Sequence, residues 1–540
     1  MFRIAWRLQR TGLLGMGAFG AFYGCIQAAA YKSAAGTTDA SRVAFGRQMQ
    51  AFARSYTFLL PMPSHLDTLS GYAQWRIYGG LVPLFAVWAL MAATGASRGD
   101  EERGMVEEWL SGSVSRWWYI ASRALAFGLA ATIVVATASA SIAVTAAHSG
   151  FSLAFSALAQ ESVLLIVLML NCYALAILLA QLPSRRATAA GLGGLVLAAL
   201  FFTNSFGRTD ETLRTLARLI SPFYYVDRSM PLTPGGGLDT AATIGLLVVS
   251  VGLLAVAAWL MQVRDLGSPL IRTGRRQPAT TRLPSRNPLL GKPVVSSLYE
   301  RRYGLLWWTA GSAVGAAYMP SVGRSMVNLA REPGSFHAYL SLVGRGNPYV
   351  VLTGYIWFGI FQLVLVAFAL TGVARWSSDD NEGRLETQLS APVSRSWVVA
   401  ERGLVFLTSA CVLIAVSSAS LYVSAMASGI RLSAGDLLVA SITLLPFVLT
   451  FGALGAALTS RVPRAAIAAL AAVAFTSYLI TVASPLLRWP DLIMKISVFS
   501  LYGMPLTNGV YWVGLWIMLG ISASGFGVAT VLMHGRDVGS

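Results

Sequence analysis

Apolar segments about as long as a bilayer is thick recur along the whole chain. Three of them are Leu81–Ala96, Leu129–Ala147 and Leu246–Met261. A transmembrane helix needs about 20 apolar residues at a rise of 1.5 Å each, and we count roughly twelve such segments, six in each half. Because 55% of the residues are hydrophobic and only 12% are charged, the polar side chains are too few to cover a globular surface. The chain is therefore predicted to be an all-α integral membrane protein.

A polar stretch interrupts the apolar segments twice, and we name its two copies the first island and the second island. The first island is Asp100–Phe127 and the second is Asp379–Phe406, related by an offset of 279 residues. The offset continues without a gap to Arg185 and Arg464, so the repeat includes the neighbouring spans. The identical pairs are Asp100/Asp379, Gly104/Gly383, Glu107/Glu386, Leu110/Leu389, Ser111/Ser390, Val114/Val393, Ser115/Ser394, Arg116/Arg395, Trp118/Trp397, Arg123/Arg402 and Phe127/Phe406.

The duplication predicts two homologous six-span halves that run in the same direction. We assign residues 1–262 to the first half and residues 303–540 to the second. Residues 263–302 turn to Arg, Pro, Ser and Gly with nothing periodic, which is typical of a linker. We expect a basic cytoplasmic linker with an interfacial helix there, and further amphipathic interfacial helices at residues 2–8 and 213–225.

The positions of the arginines predict the orientation in the membrane. The arginine-rich short loops, and Arg536 near the C-terminus, fall on one side under an even number of spans. By the positive-inside rule that side is the cytoplasm, which then also holds both termini and both islands. Basic residues are nearly all arginine, and Ala and Gly are abundant, as is typical of a GC-rich bacterial genome. A bacterial plasma (inner) membrane is therefore the predicted location of this multi-pass protein.

The formal net charge of +17 does not indicate a nucleic-acid partner. The basic residues are spread over loops between spans, and no soluble basic domain exists to hold a duplex. Anchoring to lipid headgroups explains the charge better. The three cysteines fall in different predicted spans and the four histidines are scattered, so the chain offers neither a disulfide framework nor a metal site.

The residue pattern of the first island predicts a short helix on the cytoplasmic face. Asp100, Glu101 and Glu102 favour a helix N-terminus through the macrodipole. Glu107 and Leu110 follow at helical spacing before a run of serines breaks the helix. An ordinary solvated loop is the plain alternative, but a loop without a partner need not keep the same residues in register in two copies.

The pattern E-x-G-x-x-E-x-x-L-S-x-x-V-S-R after a second span resembles the cytoplasmic motif of type-2 ABC exporter permeases. The resemblance is to their fused twelve-span form, the polyketide-antibiotic or tetronasin-type multidrug exporters. It implies that each island is a coupling helix that docks in a cleft of an ATP-binding subunit. The implied coupling residues are Asp100, Glu101, Glu102, Gly104, Glu107, Leu110, Ser115 and Arg116 in the first half, and Asp379, Gly383, Glu386, Leu389, Ser394 and Arg395 in the second.

Two departures from the pattern predict unequal docking sites. Asn381 stands where the first island has Glu102, and Ser113 replaces the proline found at Pro392. No phosphate-binding loop G-x-x-x-x-G-K-[ST] occurs anywhere in the chain, so the ATPase is not on this polypeptide. The resemblance therefore implies two separate nucleotide-binding ATPase subunits, which hold ATP and magnesium. No cofactor and no enzymatic activity are expected of the chain itself.

Aromatic side chains in four spans are candidates for the substrate path. By the same resemblance, spans two, five, eight and eleven border a central path, whereas aromatics of this kind more often pack or face lipid. The candidates are Phe85, Trp88, Phe201, Phe202, Tyr355, Trp357, Phe358, Phe475 and Tyr478.

The predicted function is that of the permease of an ATP-driven exporter. It would move hydrophobic or amphipathic compounds, such as drugs or antibiotics, out of the cell by alternating access. An ion-coupled secondary multidrug transporter is the alternative, but it would need carboxylates at the bilayer midplane. The main candidate, Glu161, is predicted near the external end of its span. A membrane-embedded transferase is weaker still, because no clustered catalytic residues face one aqueous side.

Overall fold

The computed structural model describes residues 2–53, 61–112, 114–208, 210–268, 270, 292–330, 348–381, 383–390, 392–487 and 490–536. Across these ranges the regular structure is helical and contains no strand. The chain divides into two compact units, Met1–Pro278 and Ala279–Ser540. The boundary falls inside the stretch that the composition predicts to be a linker.

The described residues of the first unit form ten helices, of which α3 is the second predicted span. That helix is continuous from Leu69 to Glu102 and includes two wider, π-helical turns at Ala73–Tyr78 and Gly95–Gly99. The helices are α1 Phe2–Ala35, α2 Asp39–Ala53, α3 Leu69–Glu102, α4 Met105–Leu110, α5 Arg116–His148, α6 Phe155–Leu179, α7 Arg186–Gly207, α8 Glu211–Ile220, α9 Pro222–Arg228 and α10 Thr240–Val263.

The second unit repeats this order, with short helices before its last span. Its helices are α11 Pro293–Ala330, α12 Pro348–Asn381, α13 Arg384–Leu389, α14 Arg395–Ala427, α15 Ala434–Arg461, α16 Ala466–Leu487, α17 Asp491–Met494, α18 Val498–Tyr502, α19 Pro505–Asn508 and α20 Trp512–His534.

Ten helices of the described residues are long and apolar enough to cross a membrane. They occupy the positions of predicted spans one to six, eight to ten and twelve, which confirms the prediction of an all-α integral membrane protein. At the positions of spans seven and eleven lie α11, with 38 residues, and α16, whose apolar part Ala466–Thr481 is shorter.

The same pairs of helices pack together in each unit. In the first unit α1 packs along α5, and α6 packs against both α3 and α10. In the second unit α11 packs along α14, and α15 packs against both α12 and α20. Side chains buried between these helices are mostly apolar, so each unit has its own hydrophobic interior.

Of two predicted interfacial helices, one is absent as a separate element and the other is present. The prediction of a separate interfacial helix at residues 2–8 is wrong, because α1 runs from Phe2 to Ala35 without a break. The expected helix over residues 213–225 is present as two pieces, α8 and α9. They are separated at Ser221, because Pro222 has no amide hydrogen and suits the first position of a new helix.

Candidate functional site at the two islands

Each island begins where the second span of its unit ends. Gly104 and Gly383 have φ angles of 70° and 71°, a left-handed conformation that side chains with a Cβ rarely adopt. These glycines end the span and reverse the chain into a six-residue helix, α4 or α13. The short helix predicted from the residue spacing is therefore confirmed in both copies.

The predicted position of the three acidic residues is wrong. Asp100, Glu101 and Glu102 do not open the island helix but form the last turn of α3, before Gly104. Their side chains contact the ends of neighbouring spans. Glu102 accepts a hydrogen bond of 2.6 Å from the backbone N–H of Arg186, the first residue of α7. The macrodipole argument therefore applies to α7, a helix distant in sequence.

One apolar residue fixes each short helix to its unit. Val106 in α4 and Leu385 in α13 are buried, and they are equivalent under the offset of 279 residues. The polar faces point away from the unit: Glu107 and Glu386 are exposed, while Leu110 and Leu389 are half-buried. Each island therefore presents an acidic residue and a leucine beside one another at its surface.

The Ser-Arg pair that follows each short helix connects two spans. Ser115 accepts a hydrogen bond from the backbone N–H of Trp118 at the start of α5, and Ser394 does the same for Trp397 in α14. Such a side-chain cap satisfies a backbone donor that the helix itself leaves unpaired.

The arginine of the pair holds the last span of its unit. Nη1 of Arg116 donates to the carbonyl oxygens of Met261, Gln262 and Arg264, at 2.6, 3.1 and 2.9 Å. These are carbonyls at the C-terminus of α10, where the helix dipole favours a cation.

Arg395 repeats this contact at the end of α20. Its Nη1 donates to the carbonyl oxygens of Met533, His534 and Arg536, at 3.0, 3.1 and 2.5 Å. In both units the Ser-Arg pair therefore connects the short helix to the third and the last span.

Asp100 anchors the first island through a buried ion pair with Arg123 of α5. Nε and Nη1 of Arg123 are buried without an acceptor among the described residues, so this guanidinium depends on Asp100. The carboxylate also accepts hydrogen bonds from Arg103, at 2.6 Å, and from the hydroxyl of Tyr119, at 3.1 Å.

Glu101 joins the end of α3 to the segment that follows α10. Its two oxygens pair with Arg98 and Arg264, each at 2.5 Å. All three side chains are almost fully buried, with exposed fractions of 1–4%. Arg98 also donates to the carbonyl oxygens of Ala180 and Gln181 at the end of α6. The two buried arginines therefore share one carboxylate, and Arg98 also satisfies helix-end carbonyls away from water.

In the second unit a single carboxylate replaces Asp100 and Glu101. Asp380 pairs with Arg402 at 3.0 Å and with Arg536 at 2.8 Å, the counterparts of Arg123 and Arg264. The sequence overlay instead matches Asp100 to Asp379, whose carboxylate pairs with Arg384 at 3.4 Å. Asp380 occupies the offset position of Glu101 and keeps its contact with the end of the last span, through Arg536 in place of Arg264. It also pairs with Arg402, whose counterpart Arg123 pairs with Asp100 in the first unit.

An open groove of about 600 Å³ lies beside the first short helix. It is bounded by the island on one side and by the end of α10 on the other. Six of its lining residues were predicted as coupling residues or as members of the repeat. The groove is lined by Glu107, Leu110, Ser111, Val114, Ser115, Arg116, Gln262 and Leu266.

Several residues of this site were missed by the sequence analysis. Arg98, Arg264 and Arg536 contact the islands, and Tyr119 and Asp380 lie within them, yet none was predicted as a site residue. One signal was available: in each half a basic residue follows the last span within two positions. Ser113 and the side chain of Asn381 lie outside the described residues.

The aromatic candidates for a substrate path occupy different environments. Phe85, Trp88, Trp357 and Phe358 are buried inside their own units; the ring centroid of Trp88, for example, lies 5.2 Å from that of Phe127 in α5. A path role for these four stays a prediction. Of the other candidates, Phe201, Phe475 and Tyr478 are half-buried, Phe202 is exposed, and the side chain of Tyr355 is outside the described residues.

Glu161 has a contact that explains its buried position. The amide of Gln74 donates to Glu161 at 2.9 Å and accepts from the backbone N–H of Leu232 at 3.0 Å. These residues border a cavity of about 50 Å³, which holds a few waters but no drug-sized molecule. Burial raises the pKa of the Asp227 carboxyl, another residue of this cavity, while Arg208 acts in the opposite direction.

Fold and paired islands define an all-α, multi-pass membrane protein made of two repeated units. Within that class the chain belongs to the family described as "Multidrug efflux system permease Rv1217c, C-terminal domain", whose sequence model matches residues 1–262 and 290–533. This match confirms the predicted resemblance to multidrug exporter permeases, and it indicates a transport protein rather than an enzyme. The narrower tetronasin-type assignment stays a prediction. No curated protein matches the chain.

Proposed function

We propose that this permease belongs to an ATP-driven exporter and that its two islands dock two separate ATPase subunits. The observation that carries the proposal is the duplicated grip of Arg116 and Arg395 on the last span of each unit. A surface that only contacted water would not need the same connection to two spans in both units. The absence of a phosphate-binding loop in the full sequence supports the assignment of ATP and magnesium to the partners.

The proposed mechanism is mechanical and involves no covalent chemistry on this chain. ATP binds differently to the open and closed arrangements of the ATPase subunits, and this difference in affinity drives a conformational change. The short helices receive the displacement. Ser115 and Arg116 transmit it to α5 and α10, and Ser394 and Arg395 transmit it to α14 and α20. Alternating access to hydrophobic or amphipathic compounds is the proposed result.

The orientation completes the proposal. Both islands and both termini lie in the cytoplasm of a bacterial cell, as the arginine distribution predicts. Exposed acidic residues of the islands, Glu107, Glu108 and Glu386, meet basic residues of the ATPase subunits.

Transport in proteoliposomes tests this function against the ion-coupled alternative. The chain and a candidate ATPase subunit are co-purified, reconstituted and loaded with a hydrophobic fluorescent dye. We expect dye movement to require ATP and magnesium and to be unaffected by collapse of a proton gradient. Movement driven by the gradient without ATP would favour the secondary transporter.

A further inference from the structure

A polar cavity of about 100 Å³ lies behind the second short helix, inside the second unit. Four helices line it at the island end: the first turns of α11, the end of α12, α13, and the first turns of α14. Four of its side chains are arginines, namely Arg301, Arg375, Arg384 and Arg402. We name it the basic cavity. Its volume accommodates several water molecules, and therefore one phosphate group.

One arginine of the basic cavity has a hydrogen-bond donor that is free to bind a ligand. Arg375 pairs with Glu300 at 3.6 Å, Arg384 with Asp379 at 3.4 Å, and Arg402 with Asp380 at 3.0 Å. Arg301 has no ion pair with any described residue. Its Nε is buried and lacks an acceptor in the described part of the chain. A buried donor without a partner is costly, so an external acceptor at this position would stabilise the site.

Three carboxylates also line the cavity, those of Glu300, Asp379 and Glu401. None of them forms an ion pair with Arg301: Glu300 pairs with Arg375 and Asp379 with Arg384. The carboxylate of Glu401 accepts a hydrogen bond of 2.6 Å from the hydroxyl of Ser297.

At the equivalent island position of the first unit an aromatic ring stands in place of a residue that lines the cavity. Trp109 stands where the second unit has Gln388. Its ring lies 5.5 Å from the guanidinium carbon of Arg123 and 5.6 Å, centroid to centroid, from Tyr119. In the second unit the counterpart of Tyr119 is Val398, and both Gln388 and Val398 line the cavity. The space therefore follows from two smaller side chains.

The surroundings of the cavity point to the headgroup layer of a membrane. Tyr299, Tyr303 and Trp307 on α11 have exposed fractions of 51–69%, and Trp397 at the start of α14 has 44%. Exposed tyrosine and tryptophan at the ends of membrane helices are typical of the bilayer interface. A lipid phosphate at its usual depth, in the headgroup layer of the bilayer, would therefore reach Arg301.

We propose that the basic cavity binds a phosphate group, and that an anionic phospholipid headgroup supplies it. Guanidinium groups suit this ligand because their planar donors match the oxygens of a phosphate, and basic pockets between membrane helices bind such headgroups. The site would be a property of the second unit alone. It is independent of ATPase docking, so failure of either proposal leaves the other intact.

Native mass spectrometry of the purified full chain tests the proposal with phosphatidylglycerol as the probe. We compare wild type with Arg301→Gln, with Gln388→Trp, which restores the ring of the first unit, and with Arg302→Gln as the matched control. Arg302 has the same charge but is exposed, with its guanidinium carbon 3.7 Å from the ring centroid of Tyr299. We expect Arg301→Gln and Gln388→Trp to weaken binding at least about tenfold and Arg302→Gln to leave it nearly unchanged.

The source of the phosphate is decided in the same experiment. Displacement of the lipid by millimolar inorganic phosphate would assign the site to free phosphate, and resistance to it, with weaker binding of phosphatidylcholine, would assign it to an anionic lipid. Equal binding by Arg301→Gln and Arg302→Gln would overturn the proposal. The proposal would also be overturned if only the ATPase subunit bound at the cavity, and neither the lipid nor inorganic phosphate had any effect.

Discussion

The two islands contain the same short helix, but the ion pairs that anchor them differ in solvent exposure. In the first unit Asp100 pairs with one buried arginine and Glu101 with two, and the exposed fractions of these three arginines are 1–3%. In the second unit Asp380 alone holds Arg402 and Arg536, which are 12% and 24% exposed. A buried charge that loses its partner is strongly destabilising, whereas a charge that still reaches water is not. The first island should therefore be the more rigidly seated.

The largest effect is expected for Asp100→Asn. Among the described residues it removes the only ion-pair partner of Arg123, whose guanidinium is buried, and breaking a buried pair in this way costs about 3–5 kcal/mol. We expect a large drop in the thermal unfolding midpoint of the purified chain. The double variant Asp100→Asn with Arg123→Met should recover part of the loss, and no recovery would contradict the assigned pairing.

A smaller loss of stability is expected for Asp380→Asn. Its two arginines retain contact with water, so the free energy of unfolding falls by less than for Asp100→Asn. Asp379→Asn serves as the control, because its partner Arg384 is 60% exposed. The thermal unfolding midpoints should rank wild type, Asp379→Asn, Asp380→Asn and Asp100→Asn from highest to lowest. If Asp379→Asn lowered the midpoint more than Asp380→Asn, then Asp379, the residue matched to Asp100 by sequence identity, would be its functional counterpart.

Loss of the arginine grip should affect both units similarly. Arg116→Ala and Arg395→Ala each remove three hydrogen bonds from one guanidinium nitrogen to helix-end carbonyls. Hydrogen bonds to a charged group contribute about 1.5–3 kcal/mol in a typical case. We expect bound drug to stop stimulating ATP hydrolysis while the ATPase subunits still co-purify. Loss of co-purification instead would make these arginines docking residues.

The mildest effect is expected at the exposed faces of the short helices. Glu107→Ala should slow association with the ATPase subunit, most at low salt, because a rim charge acts mainly on the association rate. Thr387→Ala, on the uncharged part of the second helix, should change it less. Association rates at several salt concentrations, measured for both variants, check this. Equal rates at every salt concentration would remove the charge argument.

Much of the fold was predictable because length and spacing determine it. Apolar segments of bilayer length predict spans, and Gly104 followed by Leu110 at matched positions in both halves predicts a short helix. The course of α3 was not predictable in this way. Its apolar pattern ends near Ala96, yet the helix continues to Glu102, because Arg98 and the carboxylates pair with partners that are far away in sequence.

The side-chain contacts of the site could not be predicted from the sequence for a similar reason. Identity matched Asp100 to Asp379, but Arg402, the counterpart of Arg123, pairs with Asp380. The aromatic candidates posed a different problem. A packed ring such as Phe85 and an exposed one such as Phe202 are alike in composition and both lie in apolar spans, so only the packing separates them.

Site-specific photocrosslinking to the ATPase subunit tests the central claim most directly. A photoreactive amino acid is placed at position 108 in the first island, at position 387 in the second, and at position 215 in α8 as a control. Residues 108, 387 and 215 are all exposed, and α8 lies beyond the far end of α7, whose first residue contacts the first island. We predict crosslinks to the ATPase subunit from positions 108 and 387 and none from position 215. A co-purifying ATPase that crosslinks to neither island would contradict the account.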